Sequence, residues 1–225
     1  MKKLSVLVIV MLISVFTMAF TSSATCTIAK NDEIIEVNMQ FPIFYGMKNI
    51  PTQKYINTMF FNHASEFMQS IYDMAEQGFE DSKKYDFPFM QYAAWSQYDL
   101  HFLNERFMSL TMNYYQFTGG AHGLTVKTAY NIDLSTGKNL ELRSIFSDDY
   151  DYSSVILKEI NLQMKKAEEG TFFSDSIERI ENEQNFYLTE EGIVMFFQQY
   201  EIGPYCIGIP EFFISFDLLR QGLKI

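Results

Sequence analysis

Histidine is the side chain whose ordinary pKa lies closest to neutral pH, and one of the three here occupies an unusual setting. His122 sits in Thr118-Gly119-Gly120-Ala121-His122-Gly123, three glycines and one histidine within six residues. An imidazole on such a corner suits a general base, with Glu201 or Asp133 to orient it. The partners such chemistry needs are not written in the sequence. It contains neither G-x-S-x-G nor H-E-x-x-H, and no catalytic Cys-His pairing is suggested. His63, His101 and His122 have no metal-ligand spacing. Asp148-Asp149-Tyr150-Asp151 lacks the D-x-[DN]-x-[DN]-G pattern and reads as a solvated loop rather than a calcium site. No metal and no cofactor is therefore expected. A structural role explains His122 as well, its ring bonding backbone groups of a second loop and locking that loop in place.

That second loop runs from Tyr200 to Pro210, YEIGPYCIGIP. Two glycines, two prolines and two tyrosines make it an ordered loop. Tyr200, Tyr205, Ile207 and Ile209 offer the aromatic and apolar anchors that interfaces favour. Glu201 adds an acidic rim, and His122 joins these five as a candidate binding residue. The formal charge of −11 excludes a nucleic-acid surface built on phosphate contacts. The same charge attracts cationic partners. A binding surface thus stands beside the enzyme reading and uses the same residues.

The elements that hold these loops follow from periodicity. Glu33–Tyr45 begins the fold as a strand, with Ile35, Val37, Met39 and Phe41 on one face. Pro51-Thr52 opens a long helix, Thr52 its cap, with Ile56, Phe60, His63, Phe67, Ile71 and Met74 on one stripe. Gly78 lies near its end and residues 80–86 form a charged connector. His63 reads as a buried core histidine. From about Phe89 the period becomes strand-like. Phe107–Phe117 returns after the turn Asn104-Glu105-Arg106, and Thr125–Asp133 completes a three-stranded meander. His101 falls on its more polar, solvated face; in the last strand Lys127, Asn131 and Asp133 share one face and Val126, Thr128, Tyr130 and Ile132 the other. Ser153 or Ser154 caps a second helix reaching about Glu169, and residues 172–183 form a short third helix or an ordered loop. Strands at residues 185–188, 193–199 and 211–216 close the chain, the second of them central. The fold class is α+β, an antiparallel sheet with two main helices packed against it. Residues 25–104 and 105–225 are expected to pack as one compact unit.

The N-terminus reads as an export signal. Met1-Lys2-Lys3 is basic, Leu4–Phe20 is apolar, and Ser22-Ser23-Ala24 supplies small residues for cleavage after Ala24. A retained anchor, and with it a membrane contact, is the alternative. Cleavage removes Lys2 and Lys3 and no acid, which takes the charge from −11 to −13. The location is then extracellular or in the cell envelope. Cys26 and Cys206 are read as two free thiols, with one disulfide as the alternative that export permits.

Two stretches in order carry a resemblance. TGGAHG at 118–123 with YNIDLSTGKNLELRSIF at 130–146, and FYLTEEGIVMFFQQYEIGPYCIGIPEF at 186–212, resemble the extracellular domain of RsiV-type anti-sigma factors. The same module is appended to PdaC-type peptidoglycan deacetylases. The resemblance spans roughly Ile34 to Leu219. It implies helices on an antiparallel sheet and, from the anti-sigma proteins, recognition of lysozyme outside the cell. Only Met1-Lys2-Lys3 precede the apolar run and the sequence stops at Ile225. Neither a sigma-holding segment nor a deacetylase domain is therefore expected, only the exported module. Its expected partner is a cationic cell-wall hydrolase such as lysozyme, with cell-wall glycan, or an enzyme using His122, as alternatives.

Overall fold

The computed structural model describes residues 21–181 and 184–224. The apolar run Leu4–Phe20 lies outside the described residues. The chain divides into two compact units that interleave in sequence. The first comprises the described residues up to Asp99 with Met112–Val126 and Leu134–Gly137; the second comprises Leu100–Thr111, Lys127–Asp133 and the chain from Lys138 onward.

In the first unit, β1 (Ser22–Asn31) and β2 (Ile35–Tyr45) form an antiparallel pair running from Ser22 opposite Tyr45 to Asn31 opposite Glu36. β1 goes beyond the sequence reading, which began the fold at Glu33. Its first three residues are those assigned to the cleavage site, because small and hydroxyl side chains suit both a processing site and an edge strand. β2 then pairs with β3 (Tyr92–Leu103) in parallel, Asn38 beside Trp95. Parallel neighbours need a long crossover, and α1 (Ile50–Tyr85) supplies it with 36 residues. β4 (Phe107–Phe117) and β5 (Leu124–Asp133) complete a five-stranded sheet in the order β1-β2-β3-β4-β5, with the far ends of β3, β4 and β5 belonging to the second unit. The sheet is mostly antiparallel and the α+β class holds.

Asn49, not Thr52, caps α1: its side chain accepts from the Thr52 amide at 3.1 Å, and Pro51 stands in the first turn where its missing N–H costs nothing. The helix passes straight through Gly78 and absorbs the expected connector, ending at Asp86 with φ 55°. Gly78 is there for close approach. A Cβ at that position would lie 2.8 Å from the Tyr92 hydroxyl. The buried face is Ile56, Phe60, Ala64, Ile71 and Ala75. Phe60 packs 6.1 Å from Phe44, and Phe67 packs 5.1 Å from Tyr114. Two alanines on this face bring helix and sheet together, which leaves His63 half-buried and Met74 exposed rather than in the core.

The second unit holds a three-stranded antiparallel sheet in which β7 (Gly192–Phe196) lies between β6 (Phe186–Leu188) and β8 (Glu211–Ser215). α2 (Tyr152–Met164) is capped by Asp151, whose carboxylate accepts from the Ser154 amide, and α3 (Phe216–Leu219) follows β8. Ile156, Ile160 and Met164 of α2 share a core with Phe146, Ile193, Met195, Phe212 and Ile214. Residues 171–181 form bends rather than a helix, held by Asn161, which donates to the Ile177 carbonyl and accepts from its amide. Asn131, which alternation sets on one face with Lys127 and Asp133, is 2% exposed. It accepts from Ser109 Oγ at 2.6 Å and donates to the Phe186 carbonyl at 2.8 Å, while Ser109 Oγ accepts from the Leu188 amide. A buried amide with both ends bonded avoids the penalty that pushes such residues outward.

The β1–β2 turn has a charged clasp. Asp32 Oδ1 accepts from the amides of Ile34 and Ile35, its other oxygen pairs with Lys30 at 2.7 Å, and the Lys30 ammonium lies 4.1 Å from the Tyr72 ring centroid. Burial alone would raise the Asp32 pKa, but the Lys30 contact and the two amides outweigh it and hold the carboxyl below its usual 3.8. Ionised Asp32 therefore stabilises the fold above its unfolded pKa, and the contribution is lost as pH falls through the lower folded value. Asp32→Asn is expected to lower the urea midpoint at about pH 7, and the difference from the wild type is expected to shrink as pH falls below the ordinary carboxylate range, measured by denaturant titration at stepped pH.

Candidate functional site

The loop singled out by its tyrosines is ordered. Tyr200 adopts φ 68° and exposes its ring, which lies 5.7 Å from the Tyr205 ring at a 35° tilt. Glu201 accepts from the Gln198 amide at 2.6 Å, and Tyr205–Ile207 form a 3-10 turn. Ile207 fills the space over Gly203, where a Cβ would overlap its Cδ1. Ile209 packs against the cluster of Tyr187, Val194 and Phe196. The structure thus exposes Tyr200 and Glu201, leaves Tyr205 half-buried beneath Tyr200, and turns Ile207 and Ile209 partly to the loop's own support. His122 belongs to the first unit, where it is exposed and its Nδ1 lies 2.9 Å from the Gly123 carbonyl oxygen.

The loop is anchored by polar groups the sequence reading passed over. Gln198 Oε1 accepts from the Lys127 amide at 3.0 Å and Gln198 Nε2 donates to the Lys127 carbonyl at 2.7 Å. Lys127 Nζ pairs with Glu211, which also accepts from the Tyr187 hydroxyl at 3.0 Å. His101, expected on a solvated face, stacks on Tyr187 with centroids 3.8 Å apart, its Nε2 2.9 Å from Thr111 Oγ1. Its role is packing. A cleft of about 330 Å³ in this unit is lined by Asn131 and Gln184, whose amide groups already donate to Phe186 and Phe196 carbonyls.

A different site emerges on the first unit. Strands alternate, so with Val37 and Met39 buried, Asn38 and Gln40 point to the other face of the sheet. Trp95 and Gln97 of β3 and Asn113 and Tyr115 of β4 share that face. Together these six line a groove of about 330 Å³, with Ser96 and Thr125 at its margins. Trp95, the only tryptophan in the chain, is 39% exposed and stacks on Tyr115 at 5.0 Å and 28°. Every lining side chain is uncharged. The amides of Asn38, Gln40, Gln97 and Asn113 make no side-chain hydrogen bond among the described residues, so their donors and acceptors are open to a ligand.

The glycine corner supports this groove. Gly119 and Gly120 take φ 88° and 103°, a left-handed bend other residues resist. Gly123 is buried under Tyr115. A Cβ there would overlap the ring and sit 2.5 Å from the Gln116 carbonyl. Gly123 therefore lets Tyr115 lie flat and brace Trp95. The signal for the groove was present as strand parity, with Trp95 at a position where the alternation calls for a polar residue.

The sequence profile described as "Deacetylase PdaC" matches residues 28–125, and that of the protein of unknown function DUF3298 matches residues 143–217. Two segments of the chain thus resemble, in order, a PdaC-like and a DUF3298 module. A curated relative is the peptidoglycan-N-acetylmuramic acid deacetylase PdaC of Bacillus subtilis (strain 168). It is 29% identical over 122 residues, covering 52% of this chain and 26% of the relative. The chain thus spans about a quarter of that protein. Among solved structures, a DUF3298 family member from Bacteroides fragilis superposes with a TM-score of 0.71, and one from Pseudomonas aeruginosa PAO1 with 0.56. Both are 17% identical and cover 91% of this chain and 94% of their own, a likeness that shows the fold. All eight residues of the groove fall within the PdaC-like segment.

Gly123→Ala must push the Tyr115 ring aside. Its expected effect is a shift in Trp95 emission and near-ultraviolet dichroism with the far-ultraviolet spectrum retained. An unchanged Trp95 signal would show that Tyr115 does not brace the tryptophan.

Proposed function

We propose that this protein is an exported, cell-wall-associated binding module that holds peptidoglycan glycan in the Trp95 groove. One observation carries the reading: an exposed tryptophan, braced by a tyrosine, amid four side-chain amides with no bond of their own. A sugar ring has an apolar C–H face suited to an aromatic surface and a rim of hydroxyls and amides suited to Asn and Gln. Support also comes from the curated relative, which is named for acting on peptidoglycan. Export rests on the N-terminal pattern, and cleavage after Ala24 would take the first three residues of β1. No helix among the described residues is long and apolar enough to cross a membrane. Co-sedimentation with purified insoluble peptidoglycan tests the reading. Trp95→Ala is expected to weaken retention about tenfold or more while keeping the wild-type far-ultraviolet spectrum. Equal retention of the folded variant would remove the groove as the site.

A second reading attaches to the other unit. Exposed Tyr200, packed on half-buried Tyr205, offers an anchor for a cationic cell-wall hydrolase such as lysozyme, and the formal charge of −11 would steer such a partner. Calorimetric titration with lysozyme at low and moderate salt would show saturable, salt-weakened binding, reduced in the Tyr200→Ala/Tyr205→Ala double variant. Absence of heat with no change in thermal midpoint under lysozyme excess would dismiss this partner.

A further inference from the structure

Resting on the glycan reading, we infer that the Trp95 groove selects sugar units whose amino groups are acetylated and rejects those carrying a free amine. An N-acetyl group presents one carbonyl acceptor, one N–H donor and a methyl group. The groove offers matching parts: the open amides of Asn38, Gln40, Gln97 and Asn113, each both donor and acceptor, and the exposed face of Trp95. A free amino sugar is an ammonium ion at neutral pH. Seating it against Trp95 would strip water from a charge with no carboxylate in the lining to replace that water.

The protein's overall acidity works the other way, so distances decide. Glu36 and Asp99 lie on the same strand face as the groove residues, each two positions beyond the nearest lining residue, Asn38 and Gln97. Two residues along a strand cover about 7 Å. That is close to the screening length of about 8 Å at physiological salt. An ammonium in the groove is therefore weakly attracted through solvent, while the neutral amide oxygens replace only part of the hydration it loses against Trp95. Asn38 sits directly beside Trp95 in the β2–β3 register and is itself exposed, so a charge placed there acts on the ligand without disturbing the core.

Binding of the purified protein to tetra-N-acetylchitotetraose and to its fully deacetylated counterpart, followed by Trp95 fluorescence at physiological salt, tests the inference. The acetylated tetramer is expected to bind about tenfold tighter. Asn38→Asp supplies the missing carboxylate and is expected to shift the preference toward the deacetylated tetramer by a similar factor, whereas Glu36→Gln and Asp99→Asn leave it unchanged. Equal or tighter binding of the deacetylated tetramer by the wild type would overturn the inference and leave the glycan reading intact. So would binding of neither tetramer by protein that still sediments with peptidoglycan. Binding of neither tetramer together with loss of sedimentation would overturn both.

Discussion

A strand shows alternate residues to its two faces, and α1 covers only one of them. That asymmetry arranges the whole first unit. Ile56, Phe60, Ala64, Ile71 and Ala75 bind the helix to the face carrying Val37, Met39, Phe41 and Tyr114. The parity that sends those residues inward sends Asn38, Gln40, Trp95, Gln97, Asn113 and Tyr115 outward. The groove is thus built by the packing of the opposite face. Its floor is rigid because the sheet beneath it is held by a helix of ten turns.

Within that frame the glycine corner has a mechanical purpose. Chains rarely spend three glycines in six residues without a need for unusual backbone angles or unusual closeness, and here both are met. Gly119 and Gly120 turn the chain, and Gly123 yields its side-chain space to Tyr115. His122, the residue in this corner with the most obvious chemistry, bonds to its neighbour's carbonyl at the surface. The significance of the corner lies in the aromatic pair it makes room for.

Much of the fold was legible because its signals are local. β4 was read to the residue, β5 to within one, and β7 was placed centrally from its unbroken apolar run. β1 was not, because Ser22–Ala24 satisfy a processing signal and a strand equally well. α1 read short because Gly78 looks like a terminator until Tyr92 is seen pressed against it. Alternation gives Asn131 a face but not its burial, and only the third dimension supplies Ser109 and Phe186 as partners. The groove residues span positions 38 to 125 on four strands, and no short stretch of sequence gathers them. Tyr200 and Tyr205 did stand out, because a loop gathers its chemistry within a few consecutive residues.

Gln198 also covers part of a sheet edge. β5 is an outer strand of its sheet, with backbone groups that a neighbouring molecule could zip onto. By lending its amide to both the N–H and the carbonyl of Lys127, Gln198 occupies one rung of that ladder with a single side chain. Gln163 does the same for the Phe213 carbonyl on β8. Two glutamines thereby cover edge groups of the kind through which sheet margins pair with other chains.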